Sequence, residues 1–324
     1  MDMFLSEVHV ESCPPGEGEW TTVFPVETDD SCSDDGECMP SRASLDDVPI
    51  LDADGDLVVR RRPRKHRKNW TLRHFRKTIL KDVGTQVWRG ACLMSEFILS
   101  RQDLFQGKTI VELGCGVGLL GIALGTIPQN VFLTDANAQA LTLAEENVKA
   151  NLPGTDGHVR IRRLDWSQPP RFLLGAGEGT QIQTGDSRYG GTVNYDWSQE
   201  DMHTLQKTDT YLAADVVFDD EMTDAFLACL QAFFALSIRH GNTPRCYMAL
   251  EKRMNFTIED LEARAPAYEH LMEFIATKEP SDQPDAGKMF FGHPIPIDDV
   301  PKKLGFERTS DLELWILTPN HSSK

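Results

Sequence analysis

The sequence predicts an α/β fold: a mostly parallel sheet with helices on both faces and an antiparallel pair at its edge. Three observations point there. From about residue 84, short apolar runs alternate with helical patterns. The first of those runs ends in a cluster of glycines, the mark of a strand that turns into a helix. Two late apolar runs then follow one another with no full helical pattern between them.

The elements follow in order. "QVWRGACLMSEFILS" places Val87, Trp88, Ala91, Cys92, Met94, Phe97 and Ile98 on one helical stripe. "KTIVEL" is the first strand, and residues 118–126 are the helix after its glycine turn. "NVFLTD" is the second strand, residues 138–151 its helix, and "HVRIRRLD" the third strand. "TYLAAD" is the fourth, followed by a helix over residues 220–236, and "RCYMALE" is the fifth. "KMFFGHPI" and "LELWIL" bring the count to seven as the antiparallel edge pair. Residues 167–197 show no period and read as a mobile insertion.

Charge divides the chain into blocks. Residues 1–59 hold sixteen acids against one base, Arg42, whereas residues 60–81 hold eleven bases and no acid. Residues 1–70, acidic and then basic, therefore read as a disordered tail, and residues 71–320 as one globular domain. That domain is acidic, which suits a basic partner and disfavours nucleic acid. "RRRPRKHRK" (60–68), with no interleaved aromatic residue, reads as a nuclear-import signal, so the expected location is the nucleus, with the cytoplasm possible too. "LDADGDLVV" resembles a calcium loop only briefly: Leu57 replaces the turn glycine and Pro63 the bidentate Glu. Seven cysteines at irregular spacing read as thiols in a reducing compartment, with no metal site. "MDMFLSEVHV" lacks a signal peptide's basic and apolar regions, and no apolar run reaches the ~20 residues that span a bilayer.

The glycine turn, "VELGCGVGLLG", formally contains the dinucleotide fingerprint through Gly116, Gly118 and Gly121. Glu112 argues against a pyrophosphate there, because like charges would meet at the strand's carboxyl end. A ligand with an ammonium and a sulfonium would be welcomed instead, and S-adenosylmethionine carries both. Asp135, ending the second strand, can accept both ribose hydroxyls or cap the next helix. Asp165 and Trp166, after the third strand, can bond and cover an adenine, or serve as a cap beside a core aromatic.

With "LTD", "RRLDW", "AADVVFDD" and "EKRMNFTIEDL", these motifs resemble the seven-stranded, Rossmann-like S-adenosylmethionine-dependent methyltransferases, in particular the methyltransferase-like protein lysine methyltransferases. The resemblance covers about residues 80–318. It implies that Trp88, in a W-x-G helix, walls the cofactor pocket. Gly114, Cys115 and Gly116 then pass the methionine part, Glu112 faces its amino group, and Ala214 lines the floor. It also implies transfer of a methyl group to a lysine of a protein substrate; the acidic domain makes a basic, lysine-containing segment the expected partner, and the chain is expected to be a monomer. The family's acidic-x-x-Tyr substrate motif stands here as Asp215–Phe218, with no hydroxyl. Asp215 would recruit and orient the ammonium, and Phe218 would offer an aromatic face. Methylation of a nucleic-acid amino group and a non-catalytic binding role are the alternatives. "DVVF" lacks the prolines usual for the first, and Phe218 keeps the second in play.

Overall fold

The computed structural model describes residues 3–5, 18–28, 66–154, 157–173, 195–256, 263–277 and 287–320. In chain order, β1 (Met3–Leu5), β2 (Glu19–Thr28), β3 (His66–Phe75) and β4 (Lys77–Ile79) lead into α1 (Arg89–Ser100). Then come β5 (Thr109–Leu113), α2 (Leu119–Leu124), β6 (Asn130–Asp135), α3 (Ala138–Asn151), β7 (Val159–Arg163) and α4 (Gln199–Leu205). β8 (Thr210–Ala214), α5 (Asp220–Arg239), β9 (Arg245–Glu251), β10 (Asn255–Phe256), β11 (Ala263–Arg264) and α6 (Pro266–Met272) follow. β12 (Ile275–Ala276), β13 (Phe290–Ile295) and β14 (Leu312–Pro319) close the chain.

The main sheet runs β12-β13-β14-β9-β8-β5-β6-β7. The five strands from β9 to β7 are parallel, and β14 lies antiparallel between β9 and β13. Seven strands were expected; the eighth, β12, is two residues long and pairs with β13. Alternation along each strand sends side chains to two cores. Ile110, Leu133, Leu212 and Ala249 join the core under α1, α2 and α3. Val111, Phe132, Tyr211 and Met248 join the core under α5. A strand buried on both faces must be apolar throughout, which is why these segments read as continuous runs.

Three expectations need correction. The first concerns the tail: β2 and β3 form a ten-pair antiparallel ribbon, and Phe24, Val26, Trp70 and Leu72 are buried in the main core. Positions 22, 24 and 26 are buried and 21, 23 and 25 exposed, a period of two that the segment's acidic average hides. Asn147 and Asn151 of α3 each accept from and donate to the β3 backbone, at Arg73 and Thr71. The calcium-like stretch and most of the basic cluster lie outside the described residues.

The second concerns the insertion at 167–197. Its ends pack: Leu173 is buried, and Trp197 stacks on Phe132 and donates from Nε1 to the Arg163 carbonyl. Residues 174–194 lie outside the described residues. The third concerns the first helix, which begins only at Arg89, with Trp88 extended before it (φ −119°, ψ 154°). At 20 residues, α5 is the one helix among the described residues long and apolar enough to cross a membrane. Its Phe226, Leu230, Phe233 and Phe234 are buried in the core instead.

Candidate active site

The chain leaves β5 toward β6 and β7 on one side, then returns to β8 on the other side of β5. Such a switch point opens a crevice at the carboxyl ends of the strands. A cavity of about 810 Å³ lies there. Trp88, Glu112, Gly114, Cys115, Gly116, Asp135, Trp166, Ala214, Asp215 and Phe218 all line it. Asp165 is not in that lining. Its Oδ1 accepts from the backbone N–H and hydroxyl of Ser167, so it closes a local turn.

The glycine turn shapes one end. Gly114 N and Cys115 N both donate to the Thr134 carbonyl, tying the turn to β6. Gly116 has φ +51°, and a Cβ there would meet the Gly84 carbonyl oxygen at 2.8 Å. Only glycine lets the turn and the Leu80–Thr85 3₁₀ segment approach so closely. Gly116 N in turn donates to Asp135 Oδ2 at 3.0 Å, while Asn137 N donates to Oδ1 at 2.9 Å. Burial raises the Asp135 carboxyl above its ordinary range, and these backbone donors oppose it.

Among the described residues, two of the cavity-lining acid and indole groups carry a buried atom with no hydrogen-bond partner: Glu112 at Oε2 and Trp166 at Nε1. Burial pushes the Glu112 carboxyl well up, and the nearby charge of Asp135 pushes it further. An unpaired buried carboxylate and an unpaired indole N–H cost free energy until something pairs with them. A ligand with a cation for the first and an acceptor for the second would recover that cost, and an amino-acid-plus-adenosine molecule presents both. The residues present therefore fit S-adenosylmethionine. Cys115 is no nucleophile, because burial and the charges of Asp135 and Glu112 push its thiol far up.

The other end is built differently. Asp215 follows β8 with φ 53°, the only non-glycine positive φ among the described residues. Its Oδ2 accepts from Gly90 N, in the first turn of α1, at 2.5 Å, and its Oδ1 from Glu251 N at 2.8 Å. One carboxylate thus caps α1 and holds the end of β9. Gly90 makes this possible, since a Cβ there would lie 2.6 Å from Asp215 Oδ2. Glu251 pairs with Arg89 at 2.8 Å and accepts from Thr309. The Arg253 guanidinium stacks over the Trp88 ring, 4.5 Å from its centroid. Burial raises the Asp215 carboxyl, and Arg253 is the leading influence against that.

Sequence reasoning missed the Leu80–Thr85 segment, Asn137 and Arg253. Only Asn137 carried a local signal: its side chain caps α3 by accepting from Gln139 N and Ala140 N. Trp88 Nε1 donates to the Val83 carbonyl and Asn137 Nδ2 to the Lys81 carbonyl, so both cavity walls hold the 3₁₀ segment.

Comparisons with known proteins agree with this geometry. Residues 67–175 match the family described as lysine methyltransferase. Methyltransferase-like protein 22 of Homo sapiens is 36% identical over 249 residues, 75% of this chain and 56% of that protein. Its Mus musculus counterpart is 34% identical, over 75% of this chain and 58% of that protein. Protein N-lysine methyltransferase METTL21A of Danio rerio is 33% identical over 106 residues, 31% of this chain and 48% of that protein. The chain spans little more than half the length of the first two relatives. With the sheet order and the glycine turn that it contains, the stretch of residues 67–175 belongs to the lysine methyltransferase family, and the chain around it is similar to methyltransferase-like protein 22.

Proposed function

We propose that this protein is a protein-lysine N-methyltransferase that takes its methyl group from S-adenosylmethionine. The observation that carries the reading is the pair of unpartnered buried atoms, Glu112 Oε2 and Trp166 Nε1, on residues that line the glycine-turn end of one cavity. Glu112 would meet the donor's ammonium, Asp135 its ribose hydroxyls, and Trp166 its adenine. Bound there, the donor supplies an electrophilic methyl carbon on a sulfonium. The protein's remaining task is to bring a lone pair to that carbon, which is mostly a matter of positioning and exclusion of water.

The lysine would enter past Phe218, which is 37% exposed at the cavity rim. Asp219, Asp220, Glu221 and Asp224 follow it, and an acidic mouth of this kind attracts a basic protein segment. The same acidity supports a protein acceptor over a nucleic acid. The basic cluster at 60–68 supports nuclear import.

The test is transfer of labelled methyl from S-adenosylmethionine into a nuclear protein extract, followed by acid hydrolysis and amino-acid analysis. Label in methyl-lysine is the expected result. Label in nucleic acid alone, or cofactor binding with no label anywhere, would overturn the reading.

A further inference from the structure

Methyl transfer to an amine requires the neutral form, because the nitrogen's lone pair makes the new bond. A free lysine has its midpoint at about 10.4, so at neutral pH only roughly one in a thousand is ready. A carboxylate alone beside the acceptor would make this worse, since a nearby negative charge favours the ammonium. The Asp215 end of the cavity is not built as a lone carboxylate. Both Asp215 oxygens accept backbone N–H groups. Arg253, two residues beyond β9, makes no direct ion pair with Asp215 but stacks on Trp88, two residues before the Gly90 that binds Asp215. It is the leading charge that opposes the upward push of burial on the Asp215 carboxyl. Glu251, next in line, is matched by Arg89.

We propose that Arg253 is a positioning residue that cancels the charge of Asp215, so that a lysine entering past Phe218 is held there as the neutral amine. This rests on the lysine reading given above. The interleaving of α1 and β9 fixes the arrangement. Trp88, Arg89 and Gly90 enter the helix as Glu251, Lys252 and Arg253 leave the strand, and each segment grips the other. Lys252 turns away to Glu313 and the Tyr268 ring, so it does not add to the charge at Asp215. Cys92 and Glu96 of α1 face the same region from below: Glu96 is committed to Lys303 N, Leu304 N and Arg308, and burial pushes the Cys92 thiol far up. Besides Asp215, the charged residues that line the cavity, Lys81, Asp82, Glu112, Asp135, Arg163 and Asp219, are unchanged when Arg253, which lies behind Trp88 and outside that lining, is replaced.

The experiment is the pH dependence of methyl-lysine formation in a protein extract, from about pH 6 to about pH 10. It compares the parent chain, Arg253→Met and Arg253→Lys at saturating S-adenosylmethionine, with calorimetric cofactor affinity measured on each. Arg253→Met is expected to be about tenfold slower near pH 7 and to approach the parent near pH 10, equivalent to a midpoint raised by about one unit. Arg253→Lys should restore most of the neutral-pH rate, and cofactor affinity should be unchanged in both. Met keeps the apolar stem against Trp88, and the Lys variant separates lost charge from lost packing. A Met variant slowed by one factor at every pH, or not slowed at all, would overturn the inference and leave the lysine reading standing. A parent protein that labels no lysine would remove both.

Discussion

The two ends of the cavity differ in how they treat buried polar atoms. At the glycine turn, Glu112 Oε2 and Trp166 Nε1 have no hydrogen-bond partner among the described residues. At the ends of β8 and β9, Asp215 and Glu251 are saturated by Gly90 N, Glu251 N, Arg89 and Thr309. A folded chain seldom carries the first condition, and in a cavity lining it marks a place for a ligand; the second holds the chain's own elements together. One end is therefore built to bind, and the other to hold a precise shape beside what is bound. The same residue type, a carboxylate at a strand's end, does opposite work at Glu112 and at Asp215.

The contrast can be broken most severely at the turn. Gly116→Ala would force a Cβ against the Gly84 carbonyl at a positive φ, and cofactor affinity should fall more than about a hundredfold by calorimetry. Next in size is Asp215→Ala. It leaves Gly90 N and Glu251 N without their acceptor, so it should cost about 3 kcal/mol and lower the melting temperature by roughly 6–12 °C. Methyl transfer should also be lost. A variant that melts like the parent would deny Asp215 its structural role.

Glu112 sharpens the comparison through pH. Its carboxyl is raised in the folded state, so its contribution to the ligand-free protein is most favourable when protonated and is lost as pH rises. Relative to Glu112→Gln, the ligand-free parent should therefore lose thermal stability as pH rises from the ordinary carboxyl range toward neutrality. The raised Asp215 carboxyl is common to both proteins and cancels in the difference, whereas Asp135, whose charge acts on Glu112, is part of what the difference reads. A difference that does not change with pH would mean that Glu112 is not strained by burial. The smallest effect is expected from Trp166→Phe, which keeps an aromatic face but removes Nε1–H together with part of the indole that packs on Phe226. Cofactor affinity should drop by about threefold to tenfold by calorimetry.

Much of the fold was legible because each strand buried on both faces must be apolar, and because the glycines after Val111-Glu112-Leu113 announce the turn. The helix over 138–151 coincides with α3, capped by Asn137. The ribbon of β2 and β3 was not legible. Its partners lie 38 to 56 residues apart, from Thr28–His66 to Glu19–Phe75, and acidic residues outnumber basic ones between the strands. In the site, strand-end residues were readable from position alone, since every parallel strand delivers its last residue to the same crevice. Arg253 and Gly90 were not, because their roles arise from α1 meeting β9 across 162 residues of sequence separation, as in the Arg89–Glu251 pair. Asp165 lies outside the cavity lining for a local reason: Ser167, two residues on, engages its Oδ1.

The central claim, that this cavity is an S-adenosylmethionine site whose donor ammonium is met by Glu112, is tested most directly by calorimetric titration of S-adenosylmethionine into the parent protein and into Glu112→Gln. One site in the parent and at least about tenfold weaker binding in the variant, with the variant melting no lower than the parent, is the predicted result. No heat in the parent, or equal affinity in the two proteins, would contradict it.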